Sequence, residues 1–167
     1  MISMQNTPNL TGVTTTGDFQ DFEELYEALH TIVGEEMEYI HYDAVRIRVL
    51  GVCYDIRHAL MGDRSAVHVP NGLDQERMQR LSIIGAVMNI YLSFETYWPE
   101  IIFVSYALND FIELHEKKYK THAWDATIAT VRKFQAAVAS CLQETLSPNK
   151  FAQIKKYITP HNIWEKN

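Results

Sequence analysis

The densest run of side chains able to do chemistry is Asp55-Ile56-Arg57-His58, with Asp63-Arg64 a few residues further on. An aspartate and a histidine three residues apart on a helix lie on one face. Such a pair can share a hydrogen bond, orient the imidazole and raise its pKa, which suits general acid–base work. Arg48, Gly51, Asp55 and His58 fall on one strip at spacings of three and four. Arg57 and Arg64 add planar guanidinium groups suited to holding a phosphate or a carboxylate. Asp55 and His58 are therefore the catalytic candidates, and Arg48, Arg57, Asp63 and Arg64 the ligand-binding candidates. A plainer reading accounts for the spacing more simply. Asp55 then pairs with Arg48 or His58, Asp63 caps the turn, and the strip is a solvated helix face.

A second group lies in an otherwise apolar stretch. Ser105, Asn109 and Glu113 recur every four residues, with Asp110 beside them. Asn109 and Asp110 join the ligand-binding candidates. Polar groups on an apolar helix must face solvent or meet other polar groups. If this seam met Asp55 and His58, it would complete a mixed carboxylate–histidine pocket. No metal is expected, because no spacing signature supports one. His115-Glu116-Lys117-Lys118-Tyr119 resembles a zinc motif, but Tyr119 stands where the second histidine belongs. A P-loop, a GxGxxG fingerprint, a CxxC pair, a GxSxG elbow and an EF-hand loop are all missing, and no cofactor is expected.

The elements that must position these residues follow from periodicity. Val13–Thr16 reads as a short strand. Asp18 sits at an N-cap, and Phe19, Phe22, Leu25, Tyr26, Leu29, Ile32 and Val33 follow at helical spacing to Gly34. A longer helix runs from about Tyr42 to Met61, with Val45, Val49, Val52, Ile56 and Leu60 as its apolar stripe and Gly62 as its stop. Gly51 lies inside this helix, which suggests close approach of another backbone. Ser65–Val69 reads as a strand ended by Pro70-Asn71-Gly72, and Asp74 caps a short helix through Leu81. Ile90, Leu92 and Phe94 alternate with polar neighbours, the pattern of a half-buried strand. Pro99 opens a helix to Tyr119 that is apolar on most sides and therefore central. Residues 123–146 form another helix, Ser147-Pro148 opens a last one to about Ile158, and 159–167 are expected to fray except at Trp164. The chain reads as one α+β domain over residues 1–167, with a small antiparallel sheet against a helical majority.

Three groups of residues resemble a known family. They are Asn6-Thr7-Pro8-Asn9 with Thr11-Gly12-Val13, Asp21-Phe22-Glu23 and Leu25–His30; then Tyr54 to Arg64; then Leu92-Ser93-Phe94, Trp98-Pro99-Glu100 and Ala107–Ile112. Together they resemble a family of small, uncharacterised bacterial proteins, chiefly Gram-positive, classed as a domain of unknown function. The resemblance covers roughly residues 5–115 and leaves out the last helices. It implies bacterial origin and a cytosolic location. It implies no activity.

Composition narrows the partners. Fifteen Lys and Arg against 21 Asp and Glu give a net charge of −6 over 167 residues. The sum divides unevenly: −9 over residues 1–45, −3 over 46–116 and +6 over 117–167. Nucleic acid is disfavoured as a partner, because phosphate binding needs a basic stripe. Cys53 and Cys141 lack metal-type spacing and read as thiols of a reducing compartment. The longest uncharged stretch after the polar N-terminal segment, Leu81–Phe94, has 14 residues, short of the roughly 20 that a membrane helix needs. A cytoplasmic location without membrane contact is expected. The leading expectation for function is a non-catalytic ligand-binding or protein-interaction domain that self-associates as a homo-oligomer. Its partner would be protein or a small anionic ligand. The alternative is a small hydrolase-type enzyme using Asp55 and His58 as an acid–base pair and arginines as anion clamps.

Overall fold

The chain begins with two strands, β1 (Ser3–Asn6) and β2 (Gly12–Gly17), followed by α1 (Phe19–Val33) and a 3-10 turn at Ile40–Tyr42. They continue as α2 (Asp43–Leu60), β3 (Ser65–Pro70), α3 (Gln75–Leu81), β4 (Met88–Tyr97), α4 (Trp98–Tyr119), α5 (Ala126–Thr145) and α6 (Pro148–Ile158). The computed structural model describes residues 1–158. The expectations for 159–167 and Trp164 therefore lie outside the described residues. The strands form one antiparallel sheet of order β1-β2-β4-β3. With its helical majority this is the α+β single domain expected.

Local chemistry sets the helix ends. Asp18 accepts from the Asp21 backbone N–H at 2.8 Å, and Asp21 accepts from the Asp18 N–H at 3.1 Å, a reciprocal capping box. Gly34 closes α1 with φ +68°, a conformation that costs glycine little. Asp74 caps α3 by accepting from the Arg77 N–H at 2.7 Å. Asp125, which lies inside the expected fifth helix, instead caps α5 through the Thr127 and Ile128 N–H groups.

The core lies between the sheet and the helices. Val13, Phe22, Leu25, Leu29, Val49, Ile56, Ile101, Leu108, Phe111 and Phe134 are fully buried within it. Helix α4 packs against α1, α2, α5, α6 and the sheet, the central position its composition predicts. Phe22 meets Phe94 with ring centroids 5.5 Å apart, joining α1 to β4. Strand β2 runs close against β4 at Gly12, where a Cβ would stand 3.1 Å from the Tyr97 Cα.

One strand goes unread in the sequence, and two expectations are corrected. Strand β1 has no legible signal, because Ser3-Met4-Gln5-Asn6 is short and mostly polar. Phe19 begins the α1 stripe in sequence but is exposed. Gly51 meets no backbone: a Cβ there would find nothing within 4 Å. Gly51→Ala is therefore expected to stabilise the protein by about 1 kcal/mol, through helix propensity alone. A thermal melt checks this, with a rise of about 2–4 °C expected.

Candidate functional site

The end of α2 gathers five of the eight candidates. The chain turns at Gly62 (φ +84°) and folds Asp63 and Arg64 back over the last turn of the helix. Arg64 Nη2 donates to Asp55 Oδ1 at 2.7 Å. His58 Nδ1 lies 3.0 Å from Asp63 Oδ2. The aspartate three residues before His58 thus serves Arg64, and the imidazole takes Asp63 instead. His58 also packs against Tyr54 with ring centroids 4.2 Å apart and the planes tilted by 55°, and Arg57 lies 5.8 Å from the same ring. These side chains stand on the surface, in partly solvated pairs of the kind that contribute about 0–1 kcal/mol.

The other candidates lie elsewhere. Arg48 points to α4, where Nη2 reaches Glu100 Oε2 at 2.5 Å and the guanidinium lies 3.7 Å from the centre of the Phe103 ring. Asn109 faces α5. It accepts from Arg132 Nη1 at 2.5 Å and from Gln135 Nε2 at 3.1 Å. The Ser105 carbonyl accepts from the same Gln135 at 2.7 Å, and its hydroxyl donates to the Ile101 carbonyl. The polar seam of α4 therefore meets α5, not Asp55 and His58. Burial pulls the Arg132 guanidinium below its ordinary pKa. Asp110 accepts from Tyr42 at the start of α2. Burial and then Glu113 raise its carboxyl above the usual range. Thirteen residues of helix separate Tyr42 from Asp55, roughly 20 Å at 1.5 Å per residue. The eight candidates thus form four separate groups, and the mixed pocket does not assemble.

Among the described residues no group of three His, Cys, Asp or Glu side chains is placed to hold a metal ion. No helix of the described residues is long and apolar enough to cross a membrane. Both cysteines are buried, and burial pushes the Cys53 thiol up to about 12.

Residue-by-residue reading of polar motifs misses a larger feature. From Ser65 to Ile90 only Leu73 and Met78 are even half-buried. This segment, β3–α3 and the first part of β4, forms an arm that leaves the body of the domain. Strand β2 pairs with β4 only from Leu92 onward, so before it the sheet is two strands wide. The side chains at 88, 90, 92 and 94 share one face of β4. Phe94 is buried and Leu92 packs on the core, but Ile90 is 51% exposed and Met88 42%. The core side of the sheet thus runs on past the core. Val67, Val69, Leu81, Ile83, Ile84 and Val87 add further exposed apolar surface. The signal in sequence was the apolar content of 81–90.

A family model described as a domain of unknown function, DUF6904, matches residues 2–167. The chain belongs to the DUF6904 family. The match takes in α5 and α6, which the resemblance read from motifs left out. No curated protein matches this DUF6904 chain. No solved structure matches it either.

Proposed function

We propose that this DUF6904 domain is a non-catalytic protein-interaction module that self-associates through the arm of residues 65–90. The observation behind this reading is the sheet face that continues apolar beyond the core, uncovered at Ile90 and Met88. Contiguous apolar surface of this kind marks interaction sites in soluble proteins. The length of the arm suits the roughly 20–30 residues that each side of an ordinary interface supplies. Its charges balance, Asp74 and Glu76 against Arg77 and Arg80. Two arms can therefore meet without the repulsion expected between the acidic N-terminal segments. The reading places the protein in a bacterial cytosol, with which two buried, unpaired thiols agree.

The hydrolase reading has less behind it. Asp55 is held by Arg64 rather than by His58, and the other polar candidates lie on different faces. Charge pairing between the chain's two ends also has little weight. Glu23, Glu24 and Glu27 are exposed on α1, and among the described residues no ion pair joins them to Lys133 of α5.

Sedimentation velocity across a concentration series, at low and high salt, tests the proposal. A dimer that persists in salt is expected, because apolar burial is not screened. Ile90→Asp should weaken it about a hundredfold. A two-fold interface counts each lost Ile contact twice, at about 1.5 kcal/mol each. Its thermal melt should match the wild type at concentrations below the dimerisation range, where mass action adds nothing to either. A wild-type monomer at every concentration would remove the proposal.

A further inference from the structure

We infer that the polar cluster at the end of α2 anchors the arm: the Asp55–Arg64 and His58–Asp63 pairs hold the root of β3 against the helix, fix the arm's angle and so govern self-association. This rests on the self-association reading and adds what positions the surface it uses.

The arm joins the body of the domain at two roots. One is β4, which runs on into the body and is paired with β2 from Leu92 onward. The other is the turn that leads from α2 into β3. All six residues of β3 are exposed, so no buried side chain fastens the strand. Its ladder to β4 runs from Ser65 opposite Ser93 to Pro70 opposite Met88. Only its pairings to Ser93 and Leu92 fall where β2 also holds β4. Beyond them the ribbon is two strands wide, and a two-stranded ribbon is marginal by itself.

The α2 side supplies the brace. Asp63 and Arg64 are the two residues before β3 begins. Gly62 turns the chain at φ +84°, a conformation that a side chain would strain. The Asp63 N–H donates to the His58 carbonyl at 2.9 Å and closes the turn. Side chains then cross the turn twice. Arg64 Nη2 donates to Asp55 Oδ1 at 2.7 Å, and His58 Nδ1 lies 3.0 Å from Asp63 Oδ2. Asp55 and His58 stand on one face of α2, about one turn apart. One such contact would leave a pivot, whereas two on consecutive residues fix a direction. Asp55, His58, Asp63 and Arg64 are therefore positioning residues, a role that needs no pocket. Partly solvated pairs add little to global stability, yet the same small preference is enough to bias the angle of an arm that nothing else buries.

Electron–electron distance measurement reads that angle directly. Spin labels are placed at Ile84→Cys, fully exposed in the arm, and Glu24→Cys, exposed on α1. Cys53 and Cys141 are buried and stay unlabelled. Below the dimerisation range a single narrow distance distribution is expected. Asp55→Asn combined with His58→Gln should widen it about twofold and lower the melt by only about 2–4 °C. In unlabelled chains the same two substitutions should raise the dimer dissociation constant about tenfold, since each of the two copies must present a docked arm. Asp55→Arg or Arg64→Asp alone should also widen the distribution, and the two together should restore it, because the pair is re-formed with its charges exchanged. A distribution unmoved by Asp55→Asn with His58→Gln overturns the anchor while self-association through the arm stands. A wider distribution with an unchanged dissociation constant overturns it too, since the angle would then not govern association. A wild type that sediments only as a monomer removes the self-association reading and this inference with it.

Discussion

Replacing Phe111 by alanine is expected to destabilise the fold by about 3–5 kcal/mol, the range for emptying a fully buried aromatic site. Phe111 sits on α4 at the point where the chain returns from α1 to α2. Its ring lies edge-on to Tyr42 at 5.7 Å and 6.2 Å from Tyr39. Both tyrosines belong to the link between those helices, so one truncation loosens three elements. Neither ring can collapse freely into the space, because each is fixed at its other end. Tyr42 is tied to Asp110, and Tyr39 is held in the backbone turn that bonds Tyr42 N–H to its own carbonyl at 2.7 Å. A domain of this size has a total stability of about 5–15 kcal/mol. Urea denaturation would read the loss as a lower midpoint with the slope retained. A loss below about 1 kcal/mol would show that the link carries little of the packing.

Acid should release the same link. Glu38 is 8% exposed at its side chain, although it lies in a connecting segment. Lys118 Nζ reaches its Oε1 at 2.7 Å and the Tyr119 hydroxyl donates to the same oxygen at 2.8 Å. The Glu35 backbone N–H donates to Oε2 at 2.8 Å. Burial pushes this carboxyl up, but the hydrogen bonds from Lys118, Glu35 and Tyr119 outweigh it and bring the pKa down to about 2. A carboxyl whose folded pKa is depressed stabilises the fold fully above its ordinary value, here 4.5. That contribution fades as pH falls from 4.5 toward about 2. Glu38→Gln should therefore cost stability at pH 7 and almost none near pH 2. About 1.5 kcal/mol is expected at neutral pH, the low end for charged hydrogen bonds, since Lys118 is half exposed. Chemical denaturation of both proteins at pH 7, 4 and 2.5 checks this. An unchanged gap across that range would mean the charge is not what holds the link.

The helices were legible because their signals are local. Asp18 with Asp21, Gly34, Asp74, and Pro99 after Trp98 mark helix ends through bonds made within one turn. The apolar stripes of α1, α2 and α5 named most of the buried residues, because a helix face must be covered wherever it packs. Strand β1 was not legible, since its place depends on β2 and on Asn6 reaching Thr145 of α5 at 2.7 Å. The candidate site was half legible. Spacing placed Asp55 and His58 on one helix face, but the turn at Gly62 brought a better partner to each. The Ser105–Asn109 seam was visible as a repeat, yet its partners on α5 lie more than twenty residues away.

Sequence alone determined which stretches are helical, that one α+β domain suffices, and where the charge of each sign accumulates. Those properties depend on neighbouring residues and on totals. Tertiary structure decided which polar side chain meets which, and which apolar surface goes uncovered. Alternation at Ile90, Leu92 and Phe94 is the same whether a helix lies over the strand or not. Only the folded chain separates buried Phe94 from exposed Ile90, because burial depends on elements that arrive from elsewhere in the sequence.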